Sequence, residues 1–75
     1  MQFERIQVDP FKMGGEPTVR GLRIPVATVV TMVADGMTPA EIVTDLPDLT
    51  TDDIAEALRF AAQMTRERYV ALTGV

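Results

Sequence analysis

The sequence predicts a mainly α fold: a short N-terminal β-hairpin arm over residues 1–25, a three-helix, helix-turn-helix-like module over 26–72, and a tail at 73–75, all in a single domain. Three observations carry this reading. Apolar residues recur at helical spacing from Val26 onward, start signals led by Thr38 and Thr50 punctuate that stretch, and glycines and prolines divide the first 25 residues into short extended pieces.

In the arm, Phe3, Ile6 and Val8 form an apolar set that reads as a strand running into the Asp9-Pro10 turn and the Gly14-Gly15 pair. Thr18 to Ile24 reads as a second strand, broken at Gly21 and closed by Pro25, so the two segments pair as an irregular hairpin with a long connection. Val26, Val29, Val30 and Val33 then fall at i, i+3, i+4 and i+7. Their β-branched character also suits a buried strand. Pro25 in a first helical turn and Gly36 at a C-terminal cap favour the helix.

Thr38-Pro39-Ala40-Glu41 is a capping box with proline at the first helical position, and it starts a second helix that turns Ile42, Val43 and Leu46 inward. Pro47 stops it after about two turns. The third helix runs from about Thr51 to about Ala71, with Asp52 and Asp53 in a first turn where the helix dipole favours negative charge. Its polar side carries Asp52, Glu56, Arg59, Gln63, Arg66 and Glu67. The apolar side, from Ile54 through Phe60, Met64 and Thr65 to Tyr69, spans roughly 220°, about twice the minimum one core-facing stripe needs. A small core takes Ile54, Leu58, Ala61 and Thr65, which leaves Phe60 and Met64 as an apolar ridge beside Ala57. The surplus predicts a homodimer with this ridge at or near the interface.

With 75 residues, no Cys and no His, the chain has no disulfide and no ordinary zinc site to reinforce a small core, so oligomerisation is the remaining common means. The absence of His and Cys, with Lys12 the one lysine, also removes the usual nucleophile and base pairs, and the expectation is a non-enzyme without metal or cofactor. Asp45, Asp48, Asp52 and Asp53 lack the spacing of a calcium loop and read as capping and solubilising residues. Gly14, Gly15 and Gly21 lack the Gly-Lys-Ser/Thr of a phosphate loop and read as turn residues. No apolar run approaches the roughly 18 residues of a membrane span, and Met1 to Arg5 lacks the start of a signal peptide, so a cytoplasmic protein without membrane contact is expected.

The second and third helices outline a helix-turn-helix with Ile42, Ile54 and Leu58 buried. Its chemistry opposes DNA: net charge is −4, and Thr51, Asp52, Asp53 and Glu56 would bring carboxylates to the phosphates. Binding to DNA by the isolated protein is expected to be weak. Basic residues lie instead at Arg5, Lys12, Arg20 and Arg23 and at Arg59, Arg66 and Arg68, where they bind phosphate, pair with a partner's carboxylates, or are solvated.

The segments Asp9-Pro10, Gly14-Gly15-Glu16-Pro17 and Val19-Arg20-Gly21-Leu22-Arg23-Ile24-Pro25-Val26 resemble the opening signature of domain-of-unknown-function family 433. Gly36 to Ile42, then Asp45 to Thr50, then Asp53-Ile54 continue that pattern in order, over about residues 5 to 65. Glu16 stands where the family usually has Lys or Arg, and Leu22 where it has Thr. The resemblance implies a helix-turn-helix-related domain with a short β N-terminus and a role as the antitoxin of a type II toxin-antitoxin system, neutralising a PIN-like ribonuclease. The alternative is a DNA-binding transcriptional regulator. Gly14, Gly15, Pro17, Gly21, Arg23 and Pro25 are expected to be architectural, with Arg23 anchoring its strand to a carboxylate. Arg20, Arg23, Phe60, Met64 and Tyr69 are expected to meet the partner or second subunit.

Overall fold

A computed structural model describes the backbone of residues 3–72 and the side chains of residues 3–66. Two short strands, β1 (Ile6–Gln7) and β2 (Thr18–Val19), flank a single 3-10 turn at Met13–Gly15 and precede α1 (Val26–Ala34), α2 (Pro39–Asp45) and α3 (Thr51–Leu72). The fold is mainly helical, with an antiparallel two-stranded hairpin in which Ile6 faces Val19 and Gln7 faces Thr18.

The arm is more sharply folded than its sequence pattern implies. Only Ile6–Gln7 forms the first strand, Phe3 accepts a turn hydrogen bond from the Ile6 amide, and Val8 is 61% exposed. The stretch from Thr18 to Ile24 is not one interrupted strand. It doubles back on itself: Arg20 and Gly21 both have positive φ, 48° and 71°, and the Leu22 amide donates to the Val19 carbonyl at 2.8 Å. Two successive positive φ values belong to a type I′ turn, which suits the right-handed twist of tight hairpins. Val19 N–H then meets the Ile24 carbonyl, and Thr18 bridges to Pro25, which delivers the chain into α1.

The helices begin and end where their local chemistry directs. Pro25 precedes α1, and Gly36, at φ 91°, follows it in the left-handed region that closes helix ends. Thr38 Oγ1 accepts from the Glu41 amide at 3.2 Å while the Glu41 carboxylate accepts from the Thr38 amide at 2.8 Å, completing the capping box of α2. Thr50 and Asp53 repeat the arrangement at α3, with bonds of 3.1 and 2.9 Å.

The core is small and aliphatic: Val19, Val26, Val29, Ile42, Leu49, Ile54 and Ala57. Residues of the arm and all three helices therefore meet in one cluster. On α3 the inward direction differs from the expected one, because Ala57 is fully buried, Leu58 and Ala61 are half-buried, and Thr65 is exposed, with its hydroxyl bonded back to the Ala61 carbonyl. Ala57 lies in one buried cluster with Val26 and Val29 of α1, and its small side chain suits close packing of helices. Phe60 is likewise not a free flank residue. Its ring meets Phe3 edge-on, with centroids 5.3 Å apart and planes at 87°, so the arm covers part of it.

Candidate functional site

Two features distinguish the surface, and the first is an ionic clamp that ties the arm to the start of α3. Asp53 is a carboxylate with 1% exposure. It accepts from Arg20 Nε at 3.0 and 3.1 Å, from Arg20 Nη2 at 2.9 Å, and from the Thr50 amide. Arg5 Nε approaches it at 3.2 Å from the turn that precedes β1. The same arm also bonds elsewhere: Arg20 donates to the Asp48 carbonyl, and the Arg5 amide donates to the Glu56 carboxylate. Burial pushes the Asp53 pKa upward, but the hydrogen bond from Arg20, those involving Thr50 and the Arg20 charge outweigh it, and the carboxyl lies below its ordinary range. The hydrogen bond and charge of Asp53 in turn raise the pKa of Arg20.

Arg20, expected to meet a partner or second subunit, pairs with Asp53 within the chain while its side chain stays 41% exposed, and it rather than Arg23 anchors the arm to a carboxylate. Arg23 is exposed and forms no ion pair among the described residues. The difference follows from the I′ turn, which points Arg20 toward the N-terminus of α3. Asp53, expected at the reading end of a helix-turn-helix, is turned inward. Its Thr-x-x-Asp spacing carried a visible capping signal, but its ionic partners lie 33 and 48 positions away in sequence and had no local signature.

The second feature is an apolar groove of about 400 Å³ between α1 and the later part of α3, with Pro17 of the arm at its edge. Val26, Val30, Phe60 and Met64 line it, and Met64 remains 43% exposed. Thus Phe60 and Met64 do lie together, along a shallow, open depression instead of a ridge. Tyr69 falls outside the residues whose side chains are described. The glycines expected to be architectural, Gly14, Gly15 and Gly21, all have positive φ. Exposed carboxylates occupy α2, the turn beyond it and the first turn of α3: Glu41, Asp45, Asp48 and Asp52. Among the described residues no group of three or more carboxylates is arranged to hold a metal ion. No helix among the described residues is long and apolar enough to cross a membrane.

A β arm ionically clamped onto a helix-turn-helix-like trio, with an apolar groove beside it, defines a small helical module whose distinguishing features are surfaces. The chain belongs to the family described as protein of unknown function DUF433, whose profile matches residues 6–61. It is also similar to a DUF433 member from Anabaena variabilis ATCC 29413 whose crystal structure was determined at 2.00 Å. The TM-score is 0.75 at 32% identity, over 89% of this chain and 68% of that one. Comparison with curated proteins finds no match.

Proposed function

We propose that this chain acts by binding, as the homodimeric antitoxin of a cytoplasmic toxin-antitoxin pair, and that its target is a PIN-like ribonuclease. The observation that carries the reading is the surface of the helix-turn-helix-like pair. Glu41, Asp45, Asp48 and Asp52 are exposed there, while Arg5 and Arg20 are drawn into the clamp on Asp53. Such a face repels phosphate and attracts a basic protein, and a ribonuclease that holds RNA presents positive charge. The apolar groove supplies the surplus apolar area that the homodimer part of the reading needs.

Co-expression with any nuclease found encoded beside its gene provides the test. The two proteins should co-purify, and added antitoxin should abolish RNA cleavage in a stoichiometric titration. Failure to bind or inhibit any neighbouring nuclease would refute the reading. The outline of α2, turn and α3 favours a second reading, a DNA-binding regulator. Sequence-selective retention of its own upstream duplex by the purified protein would support that reading.

A further inference from the structure

We propose that the α1–α3 groove is filled by Phe11 of a second copy of this chain, in a reciprocal knob-in-groove dimer. The inference rests on the homodimer reading and specifies its contact.

Phe11 is 97% exposed, the most exposed of the large apolar side chains among the described residues, and Val8, on the same connection, is 61% exposed. A single apolar residue at a surface carries little meaning. This one is held on an ordered turn. Its amide donates to Asp9 Oδ1 at 2.9 Å, the Lys12 amide donates to the Asp9 carbonyl at 3.0 Å, and the Gly15 amide donates to the Lys12 carbonyl at 3.0 Å. Met13, Gly14 and Gly15 follow with φ of 53°, 68° and 82°, a sequence of left-handed residues that sharply bends the chain. The ring itself contributes almost no burial to the fold, yet the backbone beneath it is organised. An aromatic side chain presented on a preformed turn loses little entropy when it docks, which is the economy of a protein-interface anchor.

The flanking charges are already occupied. The Asp9 carboxylate accepts from the Phe11 amide, and Lys12 Nζ donates to the Gly21 carbonyl at 3.4 Å, so neither must follow the ring into an apolar site. The groove is a shallow depression open to solvent, lined by Pro17, Val26, Val30, Phe60 and Met64, and it offers an incoming ring Phe60 and Met64 as aromatic and sulfur contacts. Two-fold symmetry completes the argument. If Phe11 of one protomer seats in the groove of its partner, the same operation seats the partner's ring in return, so one knob and one groove per chain leave neither exposed.

Sedimentation equilibrium on the parent, Phe11→Asp, Met64→Lys and an equimolar mixture of the two variants tests the contact. Both positions are exposed, so both variants should fold, as circular dichroism can verify. The parent should dimerise at micromolar concentration, and each variant should weaken the dimer by at least about a hundredfold, because symmetry removes two ring burials at once. The mixture should associate more tightly than either variant alone, since its heterodimer keeps one intact knob and groove and places Asp opposite Lys at the other. If the parent dimerises and Phe11→Asp dimerises equally well, the knob is wrong although the homodimer reading survives. An unchanged Met64→Lys dimer would instead eliminate the groove. A parent that is monomeric at several hundred micromolar removes the homodimer reading itself. If Phe11→Asp leaves the dimer intact but abolishes binding of a nuclease that the parent binds, Phe11 meets that partner and not a second copy.

Discussion

Asp53 serves two structural elements at once, capping α3 through Thr50 and holding the arm through Arg20 and Arg5. A carboxyl whose pKa is lowered in the folded protein binds its proton more readily in the unfolded chain. Its stabilisation is therefore complete above the unfolded value of about 3.9 and disappears as pH falls through the folded value. Urea unfolding of the parent should show stability that declines below about pH 4. Asp53→Asn keeps a capping oxygen but loses the charge, and it should cost about 1.5–3 kcal/mol at neutral pH, the value of hydrogen bonds to charged groups. Its acid limb should also be flatter than the parent's; an identical limb would assign the titration elsewhere. Arg20 adds a second constraint, because it holds a left-handed conformation that costs a non-glycine residue backbone energy. Arg20→Ala should lower the melting temperature clearly, whereas Arg23→Ala, at an exposed position outside the clamp, should melt like the parent. Equal melting of all three proteins would remove the clamp from the account of stability.

α3 is divided by its surroundings. Asp53, Ile54 and Ala57 are buried, while Ala62, Gln63, Met64, Thr65 and Arg66 are exposed, so the helix extends beyond the body that packs its first half. Helical stability comes mainly from tertiary packing of an apolar face. Amides of residues 62–66 should consequently exchange with solvent faster than those of residues 54–58 at low protein concentration. If the groove is covered by a second copy, exchange across 62–66 should slow as concentration rises, while exchange across α2 should not change. Concentration-independent exchange throughout would mean that no second copy meets this half of α3.

The whole molecule carries a charge of −4, and Arg5 and Arg20, beside the expected reading end, are paired with Asp53, with Asp52 3.9 Å from Arg5. Phosphate neutralisation supplies most non-specific DNA binding. The isolated protein should therefore show little retention of duplex DNA in a mobility-shift assay at about 150 mM salt. Association with a basic ribonuclease should be fast at low ionic strength and slow as salt is added, a dependence that stopped-flow measurement can read directly. Tight duplex retention combined with salt-independent nuclease binding would reverse both assignments.

How much of this was legible beforehand depends on the range of the interactions. The starts of α2 and α3, the proline that ends α2 and the glycine behind α1 are local devices, set by residues within four positions of one another, and the sequence alone determined them. It also determined the acidic balance and the surplus apolar surface late in α3. The fold of the arm required tertiary contacts, because a strand pattern over Thr18 to Ile24 gives no sign that Arg20 will join Gly21 in a turn until Asp53 is there to receive its side chain. The rotation of α3 toward Ala57 and the shelter of Phe60 under Phe3 depend on packing between distant segments, as does the groove that Met64 and Pro17 share. Helical periodicity specifies which residues share a face, but only the neighbours that pack there decide which part of that face is covered and which part is left for another molecule.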